Sequence, residues 1–236
     1  MKNRIKNWLA RELAKRGRRI TRYPLAQYLR DKQIDCVLDV GANIGQYALE
    51  LRELGYRGRI VSFEPMPAAF EKLTQASEHD PLWLVENIAL GSETGRLPLS
   101  IIANSPSSSF LEVDPRVSVG TVDLSVVGSV EVPIQPLDKI FASAIDGCQH
   151  IHLKIDTQGF ERQVIQGALD SLASISLVQM ELALVRNYVG ETLAEDMIAL
   201  MRHHDFEPWW TLDGYRNPVT LQLFQIDVFF SQCTRK

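Results

Sequence analysis

Apolar residues follow two rhythms along this chain. Short runs of β-branched and aliphatic residues at 37–40, 59–63, 82–89, 130–134, 151–156 and 175–182 predict strands. Between them, apolar residues recur three and four apart and predict helices over 47–54, 68–77, 137–141, 159–168 and 191–204. Gly91 and Gly95 mark turns into a hairpin containing Leu97, Leu99 and Ile101. Residues 103–130 are the least regular, and a loop that long in a compact domain is more often a functional lid than a neutral connection. Two strands, 208–212 and 224–230, close the chain without a helix between them. Strand-helix alternation ending in a strand pair predicts an α/β fold, a mostly parallel sheet with one antiparallel strand near the C-terminus. The 236 residues are read as a basic segment, 1–33, followed by one domain, 34–236.

The first strand runs into Gly41-Ala-Asn-Ile-Gly45 and then a helix, the junction where an open α/β sheet receives a nucleotide-like ligand. Glu64, closing the second strand, is spaced to hold a ribose diol. A dinucleotide loop needs a second glycine two positions after the first so that a pyrophosphate can approach bare backbone. Asn43 stands there instead, which disfavours a nicotinamide oxidoreductase. The spacing Asp39-x-Gly41-x-x-x-Gly45 suits a phosphate-free ligand with an amino-acid group beside Asp39 and a ribose beside Glu64. S-adenosylmethionine meets that description, with Asp39, Gly41, Asn43, Gly45, Glu64 and Asn87 as candidate contacts.

Asp39, Glu64, Asn87, Asp156 and Glu181 each fall at or near a strand's carboxyl end, the edge where ligands bind in such sheets. Folding alone asks for no acid or amide there. Lys154 and Asp156 lie two apart on one strand and leave the same face. They read as a proton acceptor for a substrate hydroxyl and the cation that tunes it, or as a structural ion pair. Glu181 comes close to Asp156 if their strands are neighbours, and such a pair shares a proton, holds a cation or bonds to backbone amides. Glu161 suits the first turn of its helix, and His203 and His204 suit a helix C-terminus. With no other histidine grouped among acids at ligand spacing, no bound transition metal is expected.

The net charge of −4 conceals an asymmetry, because residues 1–30 hold ten Lys or Arg against Glu12 alone. Ile5, Trp8, Leu9 and Leu13 recur at helical spacing among those cations. Such a helix can pack on the acidic body of the domain, cap the cofactor pocket, or lie on an anionic membrane surface or on nucleic acid. No apolar run reaches the ~18 residues of a membrane span, and the N-terminus lacks a signal-peptide core. Three cysteines without a C-x-x-C pair fit a reducing cytoplasm, so the expected setting is cytoplasmic, with peripheral contact to the inner membrane surface left open.

The segments 37–47, 60–65 (Ile-Val-Ser-Phe-Glu-Pro), 87–91 (Asn-Ile-Ala-Leu-Gly), the serines at 107–109, 153–161 (Leu-Lys-Ile-Asp-Thr-Gln-Gly-Phe-Glu) and 225–230 together resemble the FkbM family of methyltransferases. The resemblance runs from about residue 34 to 230. It implies a Rossmann-like seven-stranded class I methyltransferase fold using S-adenosylmethionine, and methyl transfer to oxygen on sugars, polyketides or other secondary metabolites. Asp156, Lys154 and Glu181 are then the catalytic candidates, and Ser109, in a loop that closes over the site, the substrate candidate. A nucleic-acid base as acceptor is disfavoured, since Asp156-Thr157-Gln158-Gly159 stands where base methyltransferases carry Asn/Asp-Pro-Pro-aromatic. The different class still open is a cofactor-binding or membrane-associated module without turnover.

Overall fold

In the computed structural model the described residues are 25–103, 108–115 and 125–233. The amphipathic stretch around Trp8, Ser107 and the middle of the irregular region lie outside them. Among the described residues, helix α1 (Leu25–Asp31) precedes β1 (Cys36–Val40), α2 (Gln46–Glu53), β2 (Arg59–Phe63), α3 (Pro67–Ser77) and β3 (Trp83–Glu86). Then come β4 (Ala89–Leu90), β5 (Gly95–Ile102), β6 (Val126–Gln135), α4 (Leu137–Ile145), β7 (Ile151–Ile155) and α5 (Glu161–Gln166). Strand β8 (Ile175–Ala183), α6 (Ala194–His203), β9 (Phe206–Asp213) and β10 (Gln225–Gln232) complete the order.

Seven strands form one sheet in the order β3-β2-β1-β7-β8-β10-β9. β3, β2, β1, β7 and β8 pair in parallel. β10 runs against both of its neighbours, the single antiparallel strand the alternation implies. The central strands β1 and β7 are buried along their whole length, as expected of parallel strands covered on both faces. Period-two alternation splits their side chains between two apolar clusters. Cys36, Leu38 and Val40 face one, with helices α5 and α6. Val37 faces the other, with Leu25 and Leu29 of α1 and Ala48 and Leu51 of α2. Residues 25–31 thus pack on the sheet as part of the domain core.

Three details differ from the sequence reading. The run 82–89 is not one strand: β3 ends at Glu86, and Ala89–Leu90 joins a second, three-stranded sheet ordered β4-β6-β5. The Asn87 side-chain amide donates to the carbonyls of Glu64 (2.8 Å) and Pro65 (3.2 Å), which turns the chain out of the main sheet. Helix α5 starts two residues late, because Gln158 (φ 53°) and Gly159 (φ 95°) are left-handed and cannot begin a helix. The hairpin strand β6 begins at Val126, well inside the stretch that read as irregular.

Candidate functional site

The glycine turn is held by its neighbours. Backbone N–H groups of Gly41 and Ala42 donate to the Phe63 carbonyl at 3.0 and 3.1 Å. Gly41 has φ +77°, and a Cβ there would sit 1.9 Å from the Asp156 carbonyl oxygen. No side chain fits, so β1 and β7 can end in contact. Asn43 is left-handed (φ 48°), and its N–H donates to Glu64 Oε2 at 2.7 Å. Met66 N–H donates to Glu64 Oε1 at 2.8 Å. Burial pushes the Glu64 carboxyl pKa up, and these two backbone donors pull it back. Each oxygen retains acceptor capacity for a further donor such as a ribose hydroxyl.

Beside Glu64 lies a cleft of about 600 Å³ walled by Phe63, Met66, Ile88, Leu90, Leu99 and Phe110. Its mostly apolar lining, with a carboxylate at one place, is that of a small-molecule site. Flat apolar walls suit a purine and the carboxylate suits a ribose diol, so the residues present fit S-adenosylmethionine. Gly41 and Asn43 line this cleft as well. Asn87, Gly45 and Asp39 do not. Asn87 braces the chain behind Glu64, and Gly45 (φ +93°) leaves room for the Trp83 ring, which a Cβ would meet at 2.7 Å. Asp39 is fully buried, its Oδ2 accepting from Ser62 Oγ at 3.3 Å, while Ser62 accepts from Trp83 Nε1 at 2.9 Å.

A second, open cleft of about 1210 Å³ adjoins the first and shares Gly41, Asn43, Asp156 and Gln158 with it. Its polar wall contains Glu50, Lys154, Glu181 and Asp227. Lys154, 7% exposed, stands between two acids: Nζ is 3.3 Å from Asp39 Oδ1 and 3.5 Å from Asp156 Oδ2. Burial opposes its charge, but Asp156 and Asp39 outweigh burial and leave its pKa raised, so the ammonium stays protonated. Burial likewise lifts the Asp39 carboxyl, and Lys154 draws it back down. Glu181 does lie on the strand next to that of Asp156, and burial together with Asp156 pushes its pKa well up.

Sequence reasoning missed the groups that connect these acids. Gln158 Nε2 donates to Asp156 Oδ1 at 3.0 Å and to Glu181 Oε2 at 2.9 Å, and Tyr188 Oη donates to Gln158 Oε1 at 3.2 Å. Gln225 Nε2 gives Glu181 Oε2 another donor at 2.8 Å. Gln158 carried one usable signal, its place two residues past a strand-end acid. Gln225 and Tyr188 gave none, because they arrive from distant segments. Ser109 is 1% exposed and lines neither cleft; its hydroxyl donates to the Gln158 carbonyl at 2.6 Å. Glu161 acts ahead of its own helix: Oε1 accepts from Thr157 N–H (3.0 Å), the Thr157 hydroxyl (3.1 Å) and Gly159 N–H (3.1 Å). Among the described residues no three His, Cys, Asp or Glu side chains are grouped to hold a metal ion.

The strand order, its single antiparallel member and a Glu64-bearing slot at the carboxyl edge define a Rossmann-like methyltransferase of class I. Within that class the chain belongs to the FkbM methyltransferase family, whose domain model matches residues 39–208. The methyl donor of that family is S-adenosylmethionine. The chain is 27% identical over 148 residues to the hexuronic acid methyltransferase AglP of Haloferax volcanii, covering 63% of this chain and 56% of that protein. It is 27% identical over 178 residues to methyltransferase sdnD of Sordaria araneosa, covering 66% and 65%. The chain therefore spans less than two thirds of the length of either relative.

Proposed function

We propose that this protein transfers a methyl group from S-adenosylmethionine to a hydroxyl oxygen of a sugar, polyketide or other secondary metabolite. The observation that carries this reading is the place of Asp156, on the rim shared by the apolar slot and the open polar cleft. When bound, S-adenosylmethionine supplies a methyl on a sulfonium, already a good leaving group. The protein's task is then mainly alignment of a hydroxyl oxygen with that methyl. Glu64 holds the ribose side of the slot, and Gly41 keeps its floor low. Asp156 accepts the hydroxyl proton as the oxygen takes the methyl, and Lys154 holds the carboxylate in place. Glu181 and Asp227 offer acceptors to the other hydroxyls of a polyol. The names of both relatives, one acting on a hexuronic acid, are compatible with such an acceptor. Free cysteines, Cys36 among them, support a cytoplasmic setting.

An acceptor screen with methyl-labelled donor tests the proposal, with Asp156→Asn as the control. Label should appear as an ether methyl on a hydroxyl compound, and D156N should lower kcat by about a hundredfold or more while the donor Kd stays within about threefold. Label recovered only on nitrogen or only as a carboxyl ester, or a D156N protein with wild-type kcat, would overturn it.

A further inference from the structure

Gln158 has the most constrained setting of any side chain at the rim. It is a non-glycine residue in the left-handed region, with left-handed Gly159 after it. Its carbonyl oxygen accepts from Ser109 Oγ at 2.6 Å. The backbone N–H groups on either side, of Thr157 and Gly159, are both tied to Glu161 Oε1. The loop is fixed from two directions, and the side chain projects back over the ends of β7 and β8.

The amide orientation follows from chemistry. Its nitrogen side faces two carboxylate oxygens, Asp156 Oδ1 at 3.0 Å and Glu181 Oε2 at 2.9 Å, and its oxygen faces the Tyr188 hydroxyl. A flipped amide would set its oxygen against two acids. The primary amide has two hydrogens, and both are used. Asp156 is therefore gripped on both oxygens, by the neutral amide on Oδ1 and by the Lys154 ammonium at 3.5 Å on Oδ2. Without the amide, two acids on neighbouring strands would face one another across the cleft mouth. Like charges so placed repel, and each makes the other harder to ionise.

We propose that Gln158 is a positioning residue for methyl transfer: its amide links Asp156 to Glu181, offsets the repulsion between them and aims Asp156 at the acceptor hydroxyl. The inference rests on the proposed function for its purpose, but its geometry stands without any acceptor. Burial and Asp156 already push Glu181 upward, and each amide hydrogen offsets that pressure by stabilising an ionised oxygen. Removing both hydrogens shifts the balance of the pair.

The test is a carboxyl-carbon NMR titration of the ligand-free protein, which needs no acceptor. Gln158→Met keeps length and apolar bulk and removes both donors. It should raise the upper apparent pKa of the Asp156–Glu181 pair by about one unit, a pair property and not that of either residue. Gln158→Asn, with the amide one methylene short, should fall between wild type and Q158M. If Q158M does not fold, Tyr188→Phe, which removes the hydroxyl that donates to the amide oxygen, should shift the pair in the same direction by less. A pair titration unchanged in Q158M, or in Y188F where that is the variant measured, overturns the inference. Once an acceptor has been found, the acid limb of kcat against pH should move up with the pair in Q158M while donor Kd stays within about threefold. A wild-type enzyme that methylates no hydroxyl compound sinks the proposed function; a wild-type enzyme that does, with an unmoved acid limb in Q158M, sinks the role of Gln158 alone.

Discussion

Lys154 stabilises the site only as the middle member of a triplet. Its ammonium is buried at 7% exposure, Asp39 is at 0%, and Asp156 is the partner at the rim. Removing one member of a buried ion pair leaves an uncompensated charge and typically costs about 3–5 kcal/mol. Lys154→Met should therefore lower unfolding stability by about that much in denaturant titrations. Adding Asp39→Asn should recover about half or more, since the stranded charge is then gone; no recovery would mean that Asp39 is not the partner that matters. The proximity of Lys154 and Asp156 was readable from strand alternation. The third member was not, because Asp39 is 115 positions away and faces Lys154 only once β1 pairs with β7 in that register. For the same reason Asp39 read as a ligand contact while the structure buries it behind the turn.

At the scale of the element, the segment between β7 and α5 concentrates the constraints. Glu161, on the first turn of α5, ties down Thr157 and Gly159, and burial raises its pKa from 4.5 to about 7 despite those backbone donors. A carboxyl with a folded pKa above its unfolded value holds its proton longer in the native state, so stability declines as pH rises from about 4.5 to about 7. At 1.36 kcal/mol per unit, the loss across that window is about 3 kcal/mol. Glu161→Gln should flatten this part of the stability curve, measured by urea unfolding at several pH values. A slope as steep in E161Q as in wild type would assign the effect elsewhere. The acid was visible in the sequence as a helix-start residue, but its reach into the loop depends on the left-handed backbone at Gln158 and Gly159. Nothing in local pattern announces a left-handed glutamine.

Across the whole molecule, the strand order brings the ends of β1, β2, β7 and β8 to one edge, and that much followed from strand–helix alternation alone. The small sheet did not. β4 has two residues, too short for a period-two signal, and it pairs with Ile134–Gln135 more than forty positions on. Yet Ala89, Leu90 and Leu99 of that sheet wall the apolar cleft, while Glu50, Gln179 and Asp227, from α2, β8 and β10, wall the open one. The two clefts meet only at Gly41, Asn43, Asp156 and Gln158. Clefts that share so few residues give each reactant a wall of its own, and each can bind without the other being displaced. Steady-state kinetics should then show intersecting lines, with neither reactant obliged to leave before the other enters. S-adenosylhomocysteine should compete with the donor and not with the acceptor, and parallel lines would mean that the donor product leaves before the acceptor enters.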